Sequence, residues 1–389
     1  MIAGQPEMGG CVALTRCARA VACMGSSMSA APSATAAKNL AERAQGLALA
    51  IGFDLAGVSR AEPTRESEFL RDWIARGYAG EMHYLERRVE LRVDPRRVLE
   101  GARSIVAVGL VYDPGPLDEP ARGHARMARY AGGEDYHEVL WERLSALEAA
   151  LETLTSEPIR TRSFCDTGPV SERVYAARAG LGWQGKNTCL IHPQLGSYLF
   201  LGVVLTDLEL APGIPETDHC GSCRACLDAC PTDAFPEPYV LDATRCLSYT
   251  TIESRGAIDV GLRSDHGDRV FGCDICQEVC PWNRRRGRRL PDDPFGLRSR
   301  LRARPEWVQP SLRWILELDE ARWRVATKGT ALRRSKYRGL LRNALVVAGN
   351  SGCSELLPLV RRWARSDDAL VAEHACWALA KLEAEPAQP

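Results

Sequence analysis

The sequence predicts an α/β domain followed by a cysteine-rich region and a basic, helical C-terminal region. Helix-like and strand-like hydrophobic patterns alternate up to about residue 215, eight of the fifteen cysteines fall between residues 220 and 280, and arginines dominate the stretch that follows. The chain has 389 residues, which is enough for two or three domains. The predicted units are an N-terminal extension over 1–36, a first domain over 37–215, a cysteine-rich domain over 216–285 and a helical region over 286–389.

The N-terminal extension is rich in small residues and has no hydrophobic periodicity. It makes a poor secretory signal because no basic segment precedes its apolar stretch. We expect a disordered tail or a misassigned start, with Met24 or Met28 as the initiator and no ligand role for Cys11, Cys17 and Cys23. No apolar run in the chain reaches the roughly 18 residues that cross a bilayer, and a net charge of zero excludes no class of partner.

Hydrophobic residues in the first domain follow two periods. Helices are predicted over 37–53, 66–78 and 135–154, and strands over 102–112, 158–164 and 196–210. A further helix is predicted over 166–182, with Pro169 in its first turn. Asp166 then has two interpretations. It is a helix cap, which the sequence alone favours, or a reactive carboxyl at the end of a strand.

The cysteine spacing predicts two [4Fe–4S] clusters. The run "CGSCRACLDACP" (220–231) is the bacterial ferredoxin pattern, in which the fourth cysteine serves the other cluster. The second run lacks its leading cysteine, since Val270 stands there, and Cys246 fills the vacancy. The predicted ligands are Cys220, Cys223, Cys226 and Cys280 for cluster 1, and Cys230, Cys246, Cys273 and Cys276 for cluster 2. A zinc ribbon is the alternative, but it requires neither the third closely spaced cysteine nor the Cys-Pro endings.

Two polar segments of the first domain have no decisive pattern. "GLGWQGKN" (180–187) nearly matches a P-loop, but Asn187 replaces the required Ser or Thr and the segment follows a helix, so that interpretation fails. "RYAGGEDYHEVL" (129–140) is either a turn capped by Asp135 or a ligand-binding segment. Cys165 and Cys189 lie outside the ferredoxin spacing and are expected to be small buried residues.

Residues 283–343 form a basic region. They contain sixteen arginines and two lysines against six acidic residues, a net charge of +12, with tryptophans interleaved. This composition predicts binding of a polyanion such as RNA, with a solvated linker as the alternative. A weak repeat aligns 342–349 with 373–380 at a period of 31, which indicates HEAT-like helix pairs or an ordinary amphipathic helical tail.

Taken together, these segments resemble the epoxyqueuosine reductases, which complete queuosine at the wobble position of tRNA. The resemblance covers about 37–385. It rests on the two cysteine runs and on "GEMHYLERR" (80–88), "RYAGGEDYH" (129–137), "DTGPVSERVYAARAGLGWQGKNT" (166–188) and "LLRNALVVAGNSG" (340–352).

The resemblance implies a cofactor, a reaction and a catalytic residue. Composition and residue spacing alone indicate none of these. It implies a cobalamin-binding first domain, a ferredoxin-like second domain and a HEAT-like region that binds tRNA. It implies that the epoxide oxygen is removed with two electrons delivered through the clusters to cobalamin, while Asp166 donates a proton. An acid in this role needs a pKa raised by burial. Expected cobalamin contacts are Tyr130, Asp135, Tyr136, His137, Lys186 and Asn187. We also expect a cytoplasmic monomer, an external low-potential electron donor and no membrane partner.

Overall fold

The computed structural model describes residues 33–112, 115, 118–284 and 289–384. The first 32 residues, with Cys11, Cys17 and Cys23, therefore lie outside the described residues. Helix α1 begins at Ala34, where the hydroxyl of Ser33 accepts a hydrogen bond from the N–H of Ala36 at 3.3 Å. The predicted extension over 1–36 thus runs into a helix at its last three residues.

An antiparallel sheet is the centre of the first domain. The elements of this domain are α1 (Ala34–Ile51), β1 (Leu55–Arg60), α2 (Arg65–Ala75), α3 (Val89–Val93), β2 (Ser104–Val111), β3 (Arg126–Met127), α4 (Tyr136–Glu152), β4 (Thr161–Phe164), α5 (Glu172–Arg178), β5 (Trp183–Gln184), β6 (Leu190–Ile191) and β7 (Leu199–Thr206). Four strands pair in the order β1-β2-β7-β4, and each pair is antiparallel. Helices α1 and α4 cover one face and α5 the other.

The predicted strands are confirmed with shorter bounds, but the predicted helix over 166–182 is wrong in its first third. Helix α5 begins only at Glu172, and its N-cap is Ser171. The preceding residues form a turn in which Asp166 has a φ of 59°, a left-handed conformation that is uncommon for a residue with a side chain. Gly168 is required in this turn because a Cβ there would lie 2.1 Å from the Phe164 ring. Asp166 is therefore not the cap of helix α5.

The cysteine-rich region packs against the sheet domain through short elements. These are α6 (Ala225–Asp228), α7 (Leu247–Ile252), α8 (Val260–Arg263), β8 (Arg269–Phe271) and α9 (Ile275–Glu278). Strand β8 pairs in parallel with β3 of the first domain. Helices α6 and α9 each begin two residues after a cysteine, Cys223 and Cys273, and each contains the next cysteine of its run, so the two cysteine runs share this local structure.

The C-terminal region is helical, as predicted. Its helices are α10 (Leu297–Leu301), α11 (Pro305–Val308), α12 (Leu312–Glu317), α13 (Glu320–Ala326), α14 (Lys336–Asn350), α15 (Leu357–Trp363) and α16 (Ala369–Ala384). The two segments of the predicted repeat lie in α14 and α16. These helices pack closely because Gly349 has no side chain; a Cβ there would lie 2.8 Å from the Trp377 ring. Their description as HEAT-like repeats stays a prediction.

Part of the basic region is interior. Trp307 and Trp323 lie in the hydrophobic core, so they cannot stack on an RNA base. Arg342 is fully buried and donates to the carbonyls of Thr250 and Gly256. Its neighbour Asn343 likewise binds carbonyls of the cysteine-rich region. The "LLRNALVVAGNSG" segment therefore joins two domains. Across the part of the chain that the structure describes, no helix has the length and apolar character to span a membrane.

Candidate functional site

A cavity of about 390 Å³ lies between the sheet and the cysteine-rich region. We call it the sheet cavity. Its lining comes from the ends of β2, β4 and β7, the start of α4 and α5, and α9: Tyr112, Tyr130, Tyr136, Cys165, Asp166, Glu172, Arg173, Cys189, Leu190, Ser197, Leu199, Phe200, Leu201 and Gln277. Three aromatic rings form a broad wall. Phe200 stacks on Tyr136 at 4.4 Å between ring centroids and contacts Tyr112 at the same distance. The cavity therefore has an apolar aromatic wall with polar groups at one edge.

Asp166 is held at the mouth of this cavity by three contacts. The hydroxyl of Tyr136 donates to Oδ2 at 2.6 Å, and Nε2 of His137 lies 3.5 Å from the same oxygen. The backbone N–H of Asp166 donates to Oε1 of Glu172 at 2.8 Å. The side chain is still 67% exposed, so one face of the carboxylate is open to a reactant.

These contacts overturn the expectation that burial raises the pKa of Asp166. Burial does act in that direction, but the ion pair with His137 and the hydrogen bond from Tyr136 outweigh it and hold the pKa of Asp166 below its ordinary value. His137 responds in the opposite sense. Burial would lower its pKa, yet the hydrogen bond to Asp135 and the ion pair with Asp166 raise that pKa to about 9. In the free protein Asp166 is thus an ionised carboxylate beside an imidazolium.

Glu172 is a carboxyl group of this site with a pKa near neutral pH. Burial and the nearby charge of Asp166 raise the pKa of Glu172 to about 7. The structure therefore places a titrating acid next to the backbone of Asp166, which the sequence pattern did not indicate.

The predicted cobalamin contacts divide into two groups. Tyr130 and Tyr136 line the sheet cavity, and His137 follows directly, with Asp135 both capping α4 and bonding Nδ1 of His137 at 2.7 Å. The other two residues face the cysteine loops. Lys186 donates to the carbonyls of Gly221 and Cys223, and Asn187 donates to that of Cys276. As cobalamin contacts all six remain predictions, but the side-chain bonds of Lys186 and Asn187 brace cysteine loops.

The four cysteines predicted for cluster 1 line one hollow of about 250 Å³. Cys220, Cys223, Cys226 and Cys280 surround it, together with His219 and Trp282. Cys280 comes from the second run, so the structure brings it to the first run as the ferredoxin pattern predicts. Burial and the neighbouring thiols raise the pKa of Cys226 to about 11. A thiol in such surroundings ionises readily only when a cation binds it.

The four cysteines predicted for cluster 2 also come together. Cys230 and Cys273 each lie close enough to Cys246 to act on it electrostatically, and Cys246 acts on Cys276. Burial raises the pKa of Cys273 to about 12. Among the residues described, no three such side chains are close enough to hold a single metal ion. As ligands of two iron–sulfur clusters, both sets of cysteines remain predictions.

Several residues of the site carry no sequence signal. Tyr112 and Phe200 lie in strand patterns typical of any core, and Gln277 lies between two ligands in an ordinary turn of helix. Cys189 was expected to be a small buried residue. It is partly exposed, lines the sheet cavity and lies beside the thiol of Cys276. Only the fold brings these side chains together.

Comparisons with known proteins agree with this geometry. The model described as "4Fe-4S double cluster binding domain" matches residues 219–283, and the model described as "Epoxyqueuosine reductase QueG, DUF1730" matches residues 92–167. Epoxyqueuosine reductase of Xanthomonas campestris is 39% identical over 88% of this chain and 96% of its own length. That of Escherichia coli is 35% identical over 88% of this chain and 89% of its own.

Solved structures give the same result. An epoxyqueuosine reductase bound to an epoxyqueuosine-modified tRNA-Tyr stem loop superposes with a TM-score of 0.80 at 32% identity, covering 88% of this chain and 90% of that one. A structure from Bacillus subtilis superposes with a TM-score of 0.79, also at 32% identity, with the same coverage. It is described with an aspartate-bearing catalytic loop swung out of the active site.

We predict that His137 stabilises the fold only while it is protonated. Its pKa of about 9 in the folded protein exceeds its ordinary value, so this contribution is complete below about pH 6.5 and is lost as the pH rises through about 9. The free energies of unfolding of the wild type and His137→Gln, obtained from thermal unfolding, should differ most near pH 6, by roughly 2 kcal/mol. The gap should close by about pH 10. His83→Gln, at an exposed histidine, is the matched control. A gap that stays constant from pH 6 to 10 would contradict the proposed ion pairs.

Proposed function

The chain belongs to the epoxyqueuosine reductase family, and from that premise we propose how its own residues carry the reaction. It reduces epoxyqueuosine to queuosine in tRNA. Both C–O bonds of the epoxide break, two electrons and two protons are taken up, and the oxygen leaves as water while a carbon–carbon double bond forms. The observation that carries this function is that Asp166 shares one cavity with Cys189 and Gln277, which border the second cysteine set.

Reducing equivalents enter from the cysteine-rich side. The chain carries a double 4Fe–4S cluster domain. We assign Cys220, Cys223, Cys226 and Cys280 to one cluster and Cys230, Cys246, Cys273 and Cys276 to the other. The apolar aromatic wall formed by Tyr112, Tyr136 and Phe200 suits the apolar surface of a corrin ring, so cobalamin would be held in the sheet cavity. When bound, the clusters supply electrons singly and cobalamin supplies the strongly reducing centre that epoxide opening needs.

Asp166 is the proton donor in this proposal. Opening the epoxide places negative charge on oxygen, and a carboxylic acid within hydrogen-bond reach stabilises that charge by giving its proton. Asp166 is ionised in the free protein, so it must gain a proton before it reacts. Water now solvates its open face, and a substrate that displaces this water shifts the balance toward the protonated form. The imidazolium of His137, 3.5 Å away, is placed to restore the proton.

The remaining expectations concern the surroundings of the enzyme. The tRNA-bound neighbour supports a tRNA substrate. A HEAT-like tRNA-binding role for the C-terminal helices, a low-potential external donor, a monomeric state and a cytoplasmic location remain predictions.

Deletion of the gene tests the function directly. Transfer RNA from the deletion strain should contain epoxyqueuosine where the parent strain has queuosine, because the last reduction is missing. Nucleoside mass spectrometry distinguishes the two nucleosides by one oxygen atom. A plasmid copy of the wild-type gene should restore queuosine. Unchanged queuosine in a strain with no second enzyme for this step would refute the function.

Removal of Cys246 tests the ligand assignment. Cys246→Ser should lower the iron and sulfide content of anaerobically reconstituted protein to about half, because only cluster 2 loses a ligand. Cys376→Ser, at an exposed cysteine in α16, is the control and should keep the full content. If Cys246→Ser also retained full iron with an unchanged electron paramagnetic resonance spectrum, Cys246 would not be a ligand.

A further inference from the structure

A second cavity, of about 410 Å³, meets the sheet cavity at Asp166. We call it the aromatic groove. One side is formed by α2, the loop after it and α3; the other is formed by α5 and the loops around Thr188 and Tyr239. Asp166, Glu172 and Arg173 line both cavities. Whatever lies in the groove is therefore a direct neighbour of whatever reacts at Asp166.

Aromatic side chains give the groove an apolar wall. Phe69 is 39% exposed and Tyr84 is 43% exposed, which is high for such large rings. Trp73 is fixed between them and the cysteine-rich region, since its Nε1 donates to the carbonyl of Leu241 at 2.6 Å. Open aromatic faces in a concave surface are the usual platform on which proteins stack nucleobases.

Arg92 adds an unsatisfied positive charge to this wall. Within the part of the chain that the structure describes, its guanidinium forms no hydrogen bond or ion pair, and its Nε is buried without a partner. Glu172, Tyr84 and Asp166 act on it only at a distance, while Arg88 repels it. A buried guanidinium donor without an acceptor costs free energy. An anionic ligand in the groove would remove that cost.

The rim of the groove is shared by all three regions. Arg334 of the C-terminal region binds Glu253 of the cysteine-rich region with two hydrogen bonds of 2.8 Å. Its guanidinium carbon also lies 5.7 Å from the centre of the Tyr84 ring. One arginine of the basic C-terminal region therefore lies against Tyr84 at the edge of the groove.

We propose that the aromatic groove binds one nucleotide of the anticodon loop that adjoins the modified nucleotide, with Arg92 on its phosphate and Phe69 and Tyr84 against its base. This rests on the proposed function, because the modified base must reach Asp166. Its covalently linked neighbour then has to lie next to Asp166, and the groove is the adjoining space. The nucleotide tail of cobalamin has similar chemistry, but Arg334 of the basic C-terminal region lies against Tyr84 at the edge of the groove, which favours tRNA.

Arg92→Gln tests the phosphate contact. The probe is a fluorescent anticodon stem loop carrying epoxyqueuosine, titrated with full-length, cluster-loaded protein by fluorescence anisotropy. We expect the dissociation constant to rise about tenfold, as for loss of one charged hydrogen-bonded contact. The slope of log affinity against log salt should fall by about 0.7, because one phosphate contact on a single strand is lost. Arg88→Gln removes the same charge from an exposed position nearby and should leave the dissociation constant within about twofold.

Phe69→Ala tests the stacking contact separately. Phe69 is partly exposed on α2, so its loss should not impair folding, which thermal unfolding would verify. We expect the dissociation constant to rise about tenfold with an unchanged salt slope, because a base contact involves no counterion.

Two results would overturn the proposal. In one, Arg92→Gln and Phe69→Ala bind the stem loop as the wild type does. In the other, Arg92→Gln no longer binds cobalamin, as measured by visible absorbance, while wild-type protein without cobalamin binds the stem loop with unchanged affinity. That result would mean that the groove holds the nucleotide tail of the cofactor. The activity of the wild-type protein in the same preparations tests the proposed function separately. If it reduces epoxyqueuosine, the proposed function holds even when the groove assignment is wrong.

Discussion

The left-handed turn at Asp166 is the constraint on which the rest of the site depends. A residue with a side chain adopts a φ of 59° only when its surroundings enforce it. Here Glu172 holds the backbone N–H while Tyr136 and His137 hold the carboxylate. The turn points the carboxylate at the place where the sheet cavity and the aromatic groove meet. A different backbone conformation would separate the acid from both.

The same contacts set the proton balance of the site. They keep Asp166 ionised in the free protein and place the missing proton on its neighbours, with His137 charged and Glu172 titrating near pH 7. Burial already acts to raise the pKa of Asp166, and the ion pair with His137 and the hydrogen bond from Tyr136 outweigh it. Displacement of water by substrate strengthens the burial effect, so protonation of Asp166 is coupled to occupancy of the cavity. A carboxyl group that is protonated only when substrate is bound does not lose its proton to water in the free protein.

Sequence patterns predicted the features that depend on residues close together in the chain. The spacing of the cysteines predicted that Cys280 lies with the first run, and the structure places it in one hollow with Cys220, Cys223 and Cys226; as cluster ligands both sets stay predictions. Asp166 was different. Pattern alone favoured a helix cap, and the "DTGP" turn that delays the helix to Glu172 depends on Gly168 packing under Phe164. The resemblance to a family identified the residue, whereas its ionisation state required the positions of Tyr136 and His137.

Long-range contacts explain what the sequence could not indicate. Alternating helices and strands do not state whether strands pair in parallel, and here they are antiparallel. Arginines and tryptophans after residue 283 looked uniformly external, yet Arg342 and Trp307 are buried where two regions pack together. Arg92 and Phe69 carry no motif at all. Their proposed role in binding is visible only in the folded protein, where three separate segments form the groove.

The central claim is that Asp166 gives its proton to the epoxide oxygen. The most direct measurement is a single-turnover reaction of epoxyqueuosine-containing tRNA with anaerobically reduced, cobalamin-loaded protein, comparing the wild type with Asp166→Asn. Both proteins should show the same cluster and cobalamin spectra. Queuosine formation in the variant should be slower by at least about a hundredfold, the usual effect of losing a general acid. A variant that forms queuosine within about twofold of the wild-type rate would contradict the account.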